Sequence, residues 1–208
     1  VGGRTGGEET SRYATRQIAA DYYEMDDIPP ADRLKFIFQQ VGNAIYRQSD
    51  AAEITRGATT AVAAVVLDNR LTIANVGDSR AYLIHDGQAQ QITRDHNKLS
   101  ELLRLGALSV EEVENVDGLN RLTRSLGGQQ DVDADVFADI PLYAGDMLLL
   151  CSDGLTRYID DEQIALLSGM GPPDQVCELL VDWANQSGGE DNITVLVVKI
   201  QDEDANSL

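Results

Sequence analysis

The stretch Met147–Leu155 (MLLLCSDGL) decides the fold. An apolar run leads into a polar Ser-Asp-Gly turn, which is the pattern of a buried strand that delivers a carboxylate to its end. Gly154 has no Cβ, so the backbone can turn sharply or approach a neighbour closely at this point. The pattern leaves two functions open for Asp153: a rigidly held anionic ligand at the edge of a sheet, or a residue that only caps the segment after it.

A second stretch of the same kind, Ser187–Asn192 (SGGEDN), leads into the apolar run Ile193–Ile200, which predicts a continuous buried strand. If the two strands are antiparallel neighbours, the end of one lies beside the start of the other. Asp153 and Asp191 then share one edge of the sheet. Two carboxylates held close together repel each other and require a cation or a shared proton. Oxygen ligands suit Mg²⁺ or Mn²⁺, whereas the two histidines and two cysteines lack the spacing of zinc ligands.

Composition limits the class of protein. The 208 residues suit one domain with a core of its own, and the charge is acidic, with 16 Lys and Arg against 35 Asp and Glu. This balance argues against nucleic-acid binding and against anionic membrane surfaces. No apolar run approaches the length of a membrane span, and two cysteines without a disulfide pattern fit a reducing cytoplasm.

The remaining chain alternates helical and strand patterns. Two amphipathic helices before any strand indicate a helical layer laid on a sheet, and the short connections that follow favour antiparallel pairs. Residues 97–120 read as a broken helical excursion that could cover a site. The predicted helices are Glu8–Met25 and 31–48, with two more that begin near Asp160 and Pro172; the predicted strands are Thr60–Leu67, Leu71–Val76, Arg80–His85, Gln88–Ile92 and Val132–Ala138.

Four motifs, in this order and spacing, resemble those of the PP2C-type (PPM family) metal-dependent protein serine/threonine phosphatases. The resemblance spans nearly the whole chain, and the opening Val1–Glu8 is similar to the end of that family's glycine-rich metal motif. The four motifs are Asn75–Arg80 (NVGDSR), Thr93–His96 (TRDH), Cys151–Leu155 (CSDGL) and Gly188–Thr194 (GGEDNIT).

The resemblance implies an α+β fold, a four-layer α-β-β-α sandwich of two antiparallel sheets flanked by helices. It implies two core Mn²⁺ or Mg²⁺ ions that bridge an attacking water, so that no side chain serves as the nucleophile. By position, Asp153 and Asp191 match core metal ligands, and Asp95 matches the ligand of a third, weaker ion in bacterial members. Asn192 would orient Asp191 from behind, with Gly154 beside the metal ligands.

The implied activity is hydrolysis of phosphoserine and phosphothreonine on cytoplasmic proteins, opposing a serine/threonine kinase. We expect a single phosphatase domain over 1–200 and a frayed tail over 201–208. The family's first strand and its Asp-Gly metal motif have no counterpart here, so further ligands are expected before Val1. Two alternatives remain: a catalytically inactive phosphatase-like binding module, and a phosphatase dedicated to an anti-sigma-factor antagonist.

Overall fold

The computed structural model of the protein describes residues 6–51, 57–107 and 118–201. Helices and strands alternate much as the sequence patterns predict. The helices are α1 (Gly7–Tyr23), α2 (Pro30–Ala51), α3 (Lys98–Arg104), α4 (Asp153–Thr156), α5 (Asp161–Ser168) and α6 (Pro173–Gln186). The strands are β1 (Ala61–Leu67), β2 (Arg70–Val76), β3 (Arg80–His85), β4 (Gln88–Gln91), β5 (Asp135–Pro141), β6 (Met147–Cys151) and β7 (Val195–Lys199).

The strands form two antiparallel sheets, with the orders β1-β2-β5 and β4-β3-β6-β7. A tight turn joins β1 to β2, and its residues Asp68 and Asn69 both have positive φ, 48° and 57°. Two-residue turns of this kind match the twist of paired strands, and Asp and Asn tolerate positive φ better than other side chains. The predicted α+β class with two antiparallel sheets is confirmed.

The chain divides into two compact units. The first takes in the described residues of Val1–Ala63, Ala74–Asp78 and Arg94–Val136; the second takes in those of Ala64–Ile73, Ser79–Thr93 and Phe137–Leu208. Helices α1 to α3 lie in the first unit, and the second contains the complete four-stranded sheet with α4 to α6. The single domain expected over 1–200 stays a prediction.

In the first unit, the predicted strand at Val132–Ala138 begins later than expected, because the residues before β5 pack on α2. Val132 is fully buried, and it is the side chain that a Cβ on Gly42 would meet. Asn43 and Asp131 exchange two hydrogen bonds, each 2.9 Å long, which hold this segment to the helix instead of to a sheet. Tertiary contacts therefore override the alternating pattern.

In the second unit, one face of the four-stranded sheet packs against α5 and α6. Most buried members of this core come from β3, β6 and the helices α4 to α6, and the largest is Tyr82. Strand β7 has partners on one side only among the described residues, and Leu196 and Val198 are 49% and 39% exposed. The expectation that Ile193–Ile200 is buried throughout is therefore wrong: Val195 and Val197 are half-buried against the core, and the other face of the strand is exposed.

The excursion predicted at 97–120 begins with α3, whose first turn is capped by the Asn97 side chain. Residues 108–117 of this excursion lie outside the described residues, as do residues 1–5 of the glycine-rich opening and residues 202–208 of the tail expected to be frayed. No helix in the described ranges is both long and apolar enough to cross a membrane.

Candidate metal centre

The register of β6 and β7 brings the two predicted carboxylates to one end of the sheet. The strands are antiparallel, with Cys151 opposite Val195. Asp153 follows just after the end of β6, and Asp191 lies in the loop just before β7 starts. The arrangement inferred from the sequence, in which the end of one strand lies beside the start of the other, is the one observed.

Asp153 begins a short helix but does not cap it. Ser152 occupies the N-cap position of α4, and its hydroxyl makes no capping hydrogen bond. The side chain of Asp153 instead accepts a hydrogen bond of 2.7 Å from Arg157 Nη2. The reading of Asp153 as a mere helix cap is therefore wrong.

One guanidinium nitrogen contacts both carboxylates. Arg157 Nη2 lies 2.7 Å from Asp153 Oδ2 and 3.4 Å from Asp191 Oδ2. The three side chains are 34% to 46% exposed, so the group opens to solvent. The carboxylates converge on a single cationic position at the rim of the sheet.

The main chain of Asn192 connects the loop that carries Asp191 to the turn that carries Asp153. Its N–H donates to Asp191 Oδ1 at 2.8 Å, and its carbonyl accepts from the Ser152 hydroxyl at 3.2 Å. The same hydroxyl accepts from the Thr194 N–H at 3.0 Å. Gly154 is buried directly against the Asn192 carbonyl, and a Cβ there would collide with it. The close approach suggested by this glycine is thus present.

The donors present fit a hard divalent cation. Two carboxylates that already share one positive group have oxygen ligands turned towards a common point, which is the donor type that Mg²⁺ and Mn²⁺ prefer. Over the described ranges, no group of three or more His, Cys, Asp or Glu side chains is placed to hold a metal. A Mg²⁺-like ion held by one or two carboxylates commonly completes its shell with water and phosphate oxygens.

Asp95, the third predicted ligand, is half-buried in the first unit, on the loop between β4 and α3. The next residue, His96, fixes this loop: its N–H donates to the Gly77 carbonyl, and its Nδ1 accepts from the Gly77 N–H at 3.1 Å. Since Nδ1 is an acceptor, the proton of the neutral ring lies on Nε2. His96 therefore supports the loop that carries Asp95.

The other ring nitrogen of His96, Nε2, lies near the carboxylate of Asp135 in the same unit. It lies 3.3 Å from Asp135 Oδ2 without the alignment of a good hydrogen bond, while Arg124 Nη1 lies 2.7 Å from Asp135 Oδ1. Burial lowers the pKa of His96, and the charge of Arg124 lowers it further. Partial burial alone would raise the pKa of Asp135, but its contacts with Arg124 and His96 outweigh this and lower the pKa.

Sequence reasoning found both carboxylates but missed Arg157 and Ser152. The spacing of Asp153 and Arg157, one helical turn apart, is the signal that could have revealed the ion pair. Ser152 carries no such signal, because its partners Asn192 and Thr194 come from a distant part of the chain.

Comparison with known proteins identifies the family of this chain. The family model described as protein phosphatase 2C matches residues 2–193. The serine/threonine phosphatase Stp of Listeria monocytogenes is 36% identical over 205 residues, which cover 96% of this chain and 81% of that protein.

Solved structures show the same likeness. The serine/threonine phosphatase of S. agalactiae has a TM-score of 0.89 at 28% identity, over 97% of this chain and 84% of that one. The catalytic domain of the phosphatase PstP, solved with two manganese ions, has a TM-score of 0.79 at 30% identity, over 97% of this chain and 85% of that one. The fold class and the kind of enzyme predicted from the four motifs are confirmed: the chain belongs to the protein phosphatase 2C family.

Proposed function

We propose that the protein hydrolyses phosphoserine and phosphothreonine on other proteins with the help of Mn²⁺ or Mg²⁺ bound by Asp153 and Asp191. One observation carries the proposal: both carboxylates converge on a single cationic position, at 2.7 and 3.4 Å from the same nitrogen. An anionic pair of this kind, open to solvent, can accept a divalent ion together with the oxygens of a phosphate group. Asp95 is proposed as the ligand of a third ion.

The ions, when bound, would supply Lewis-acid activation of water and neutralisation of the phosphoryl charge. The contribution of the chain is to hold its ligands in place. The Asn192 N–H fixes one oxygen of Asp191, while the other, Oδ2, lies near the Arg157 nitrogen that also contacts Asp153. Gly154 lets the turn after β6 press against the Asn192 carbonyl, so the positions of the two carboxylates are coupled through the main chain.

The substrates proposed are phosphorylated proteins of the cytoplasm, modified by a serine/threonine kinase. Support comes from relatives named as serine/threonine phosphatases and from the acidic composition, which does not suit a nucleic-acid ligand. Both cysteines are free, which is compatible with the proposed reducing compartment.

The test is phosphate release by the full-length protein from phosphothreonine and phosphoserine peptides, titrated with MnCl₂ or MgCl₂. We expect release that requires the metal, and we expect Asp153→Asn and Asp191→Asn to lower it by more than about tenfold because a ligand charge is lost. Asp160→Asn is the matched control: Asp160 caps α5, and Asn caps helices about as well as Asp.

Each other outcome points to an alternative. Binding of phosphopeptides without any release would favour the inactive binding module. Release from one phosphorylated regulator but from no peptide would favour the dedicated phosphatase. Metal-dependent release that neither carboxylate substitution changes would overturn the proposed site.

A further inference from the structure

Arg157 stands where the metal centre needs positive charge. The two carboxylates carry two negative charges, and the guanidinium supplies one positive charge from a nitrogen within 3.4 Å of both. Two anions brought together at one sheet edge repel each other, and this repulsion is what a metal ion would relieve. In the structure Arg157 performs part of that task.

The guanidinium and a divalent ion compete for the same oxygens. Arg157 Nη2 contacts the Oδ2 atoms of both carboxylates, so an ion placed between those two oxygens would occupy the position of this nitrogen. The like charges of the ion and the guanidinium also repel each other. The side chain can move away into solvent, because it is 46% exposed and lies at the end of the short helix α4.

The contact between Arg157 and Asp153 is local. Both residues belong to one helical turn, so the arginine forms this pair without help from the rest of the unit. A half-exposed ion pair favours its closed form by only about two- to fivefold. Because a second carboxylate contacts the same nitrogen, the ion-paired conformation of Arg157 should be favoured about three- to tenfold over the open conformation.

We propose that Arg157 is an intramolecular counter-ion that competes with the divalent metal for Asp153 and Asp191 and thereby sets the metal affinity of the site. This inference rests on the proposed function, since it takes the two carboxylates to be metal ligands. Arg157 could instead have the opposite role: an arginine that fixes the positions of the two carboxylates would increase the affinity of the site for the metal. The sign of the effect on metal affinity separates the two.

The experiment measures Mn²⁺ binding to the full-length protein, by calorimetry and by the loss of the free-ion electron paramagnetic resonance signal, without any substrate. We expect Arg157→Gln to lower the apparent Kd for Mn²⁺ about three- to tenfold, because the competing charge is gone. Arg157→Lys keeps the charge but not the planar fork, so its Kd should lie between the two. Thermal unfolding without metal confirms that each variant is folded.

Arg12→Gln is the matched control. Arg12 forms an ion pair of 2.8 Å with Glu8, also one helical turn apart, in the first unit. Its substitution changes the net charge equally, so it should leave the Kd unchanged. An unchanged or higher Kd in Arg157→Gln, or an equal fall in Arg12→Gln, would overturn the inference. Failure of the proposed metal site looks different: the wild-type protein would bind no Mn²⁺, or Asp153→Asn would bind it as well as the wild type.

Discussion

Replacing Gly154 with alanine places a methyl group against the main chain of Asn192. An ideal Cβ at this position comes closer to the Asn192 carbonyl oxygen than real Cβ atoms do, and it lies 3.0 Å from the carbonyl carbon. Neither atom belongs to a flexible side chain, so the loop before β7 has to move. Since the Asn192 N–H holds Asp191, that movement shifts one carboxylate relative to the other.

Two opposing effects decide the size of the change. Alanine is the better helix former by up to about 1 kcal/mol, which favours the variant in α4. Overpacking a tight contact costs about 1–3 kcal/mol, and a rigid carbonyl gives less than a side chain would. The clash should win, with a net loss of about 1–2 kcal/mol in the free energy of unfolding. At about 2–4 °C per kcal/mol for a chain of this size, the Tm falls by roughly 2–8 °C.

The assay is thermal unfolding together with Mn²⁺ titration of the full-length variant. Loss of the support behind a ligand typically costs about 10–100-fold in metal affinity, so the Kd for Mn²⁺ should rise by that order. Gly169→Ala is the control, because Gly169 has a φ of −81° and the nearest atom that a Cβ there would meet lies at 3.5 Å, an ordinary contact. A Gly154→Ala protein that melts no lower than wild type and binds Mn²⁺ equally well would refute the reasoning.

Two further predictions concern stability. His85 Nδ1 lies 2.6 Å from the buried carboxylate of Asp146, and this hydrogen bond raises the pKa of His85; Asp86, 3.4 Å from Nε2, acts in the same direction. The contribution of His85 to the stability of the fold is therefore complete below its ordinary pKa of about 6.5 and is lost as the pH rises through its higher pKa in the folded protein. His85→Gln should lower the Tm at pH 5.5 and have a smaller effect at pH 8.5. An effect that grows with pH would contradict this. Asn43→Ala removes both hydrogen bonds to Asp131 and leaves the Asp131 N–H without that acceptor. Chemical denaturation should therefore show a loss of about 1–3 kcal/mol in the free energy of unfolding. A loss below about 0.5 kcal/mol would contradict this account.

Much of the fold could be predicted because local patterns and packing agree. Apolar runs bounded by turn residues located β2, β3 and β6 to within a residue, since most residues of each strand are buried. The prediction failed where a distant contact decides the outcome. The alternation at Val132–Ala138 says nothing of the Asn43 side chain that holds its first residues to α2.

The candidate site divides in the same way. Asp153 and Asp191 could be predicted as neighbours, because strand direction fixes which ends of a sheet meet, and the pairing of β6 with β7 confirms it. The metal ligands themselves stay predictions. Strand ends do not reveal Arg157, because it lies one helical turn beyond Asp153. The link through Ser152 could not be predicted, since a serine in a turn has many possible partners.

The hydroxyl of Ser152 joins residues that are 40 positions apart in the sequence. Contacts of such long range form late in folding, after the entropy of closing the intervening loop has been met. The pair of Asp153 with Arg157 needs only one turn of helix and can form early. During refolding, Arg157 should therefore pair with Asp153 first, and Asp191 should join this pair only when β7 docks on the sheet. Capture of Mn²⁺ during refolding would then report the arrival of this last strand, and a stopped-flow measurement could follow that step separately from collapse of the core.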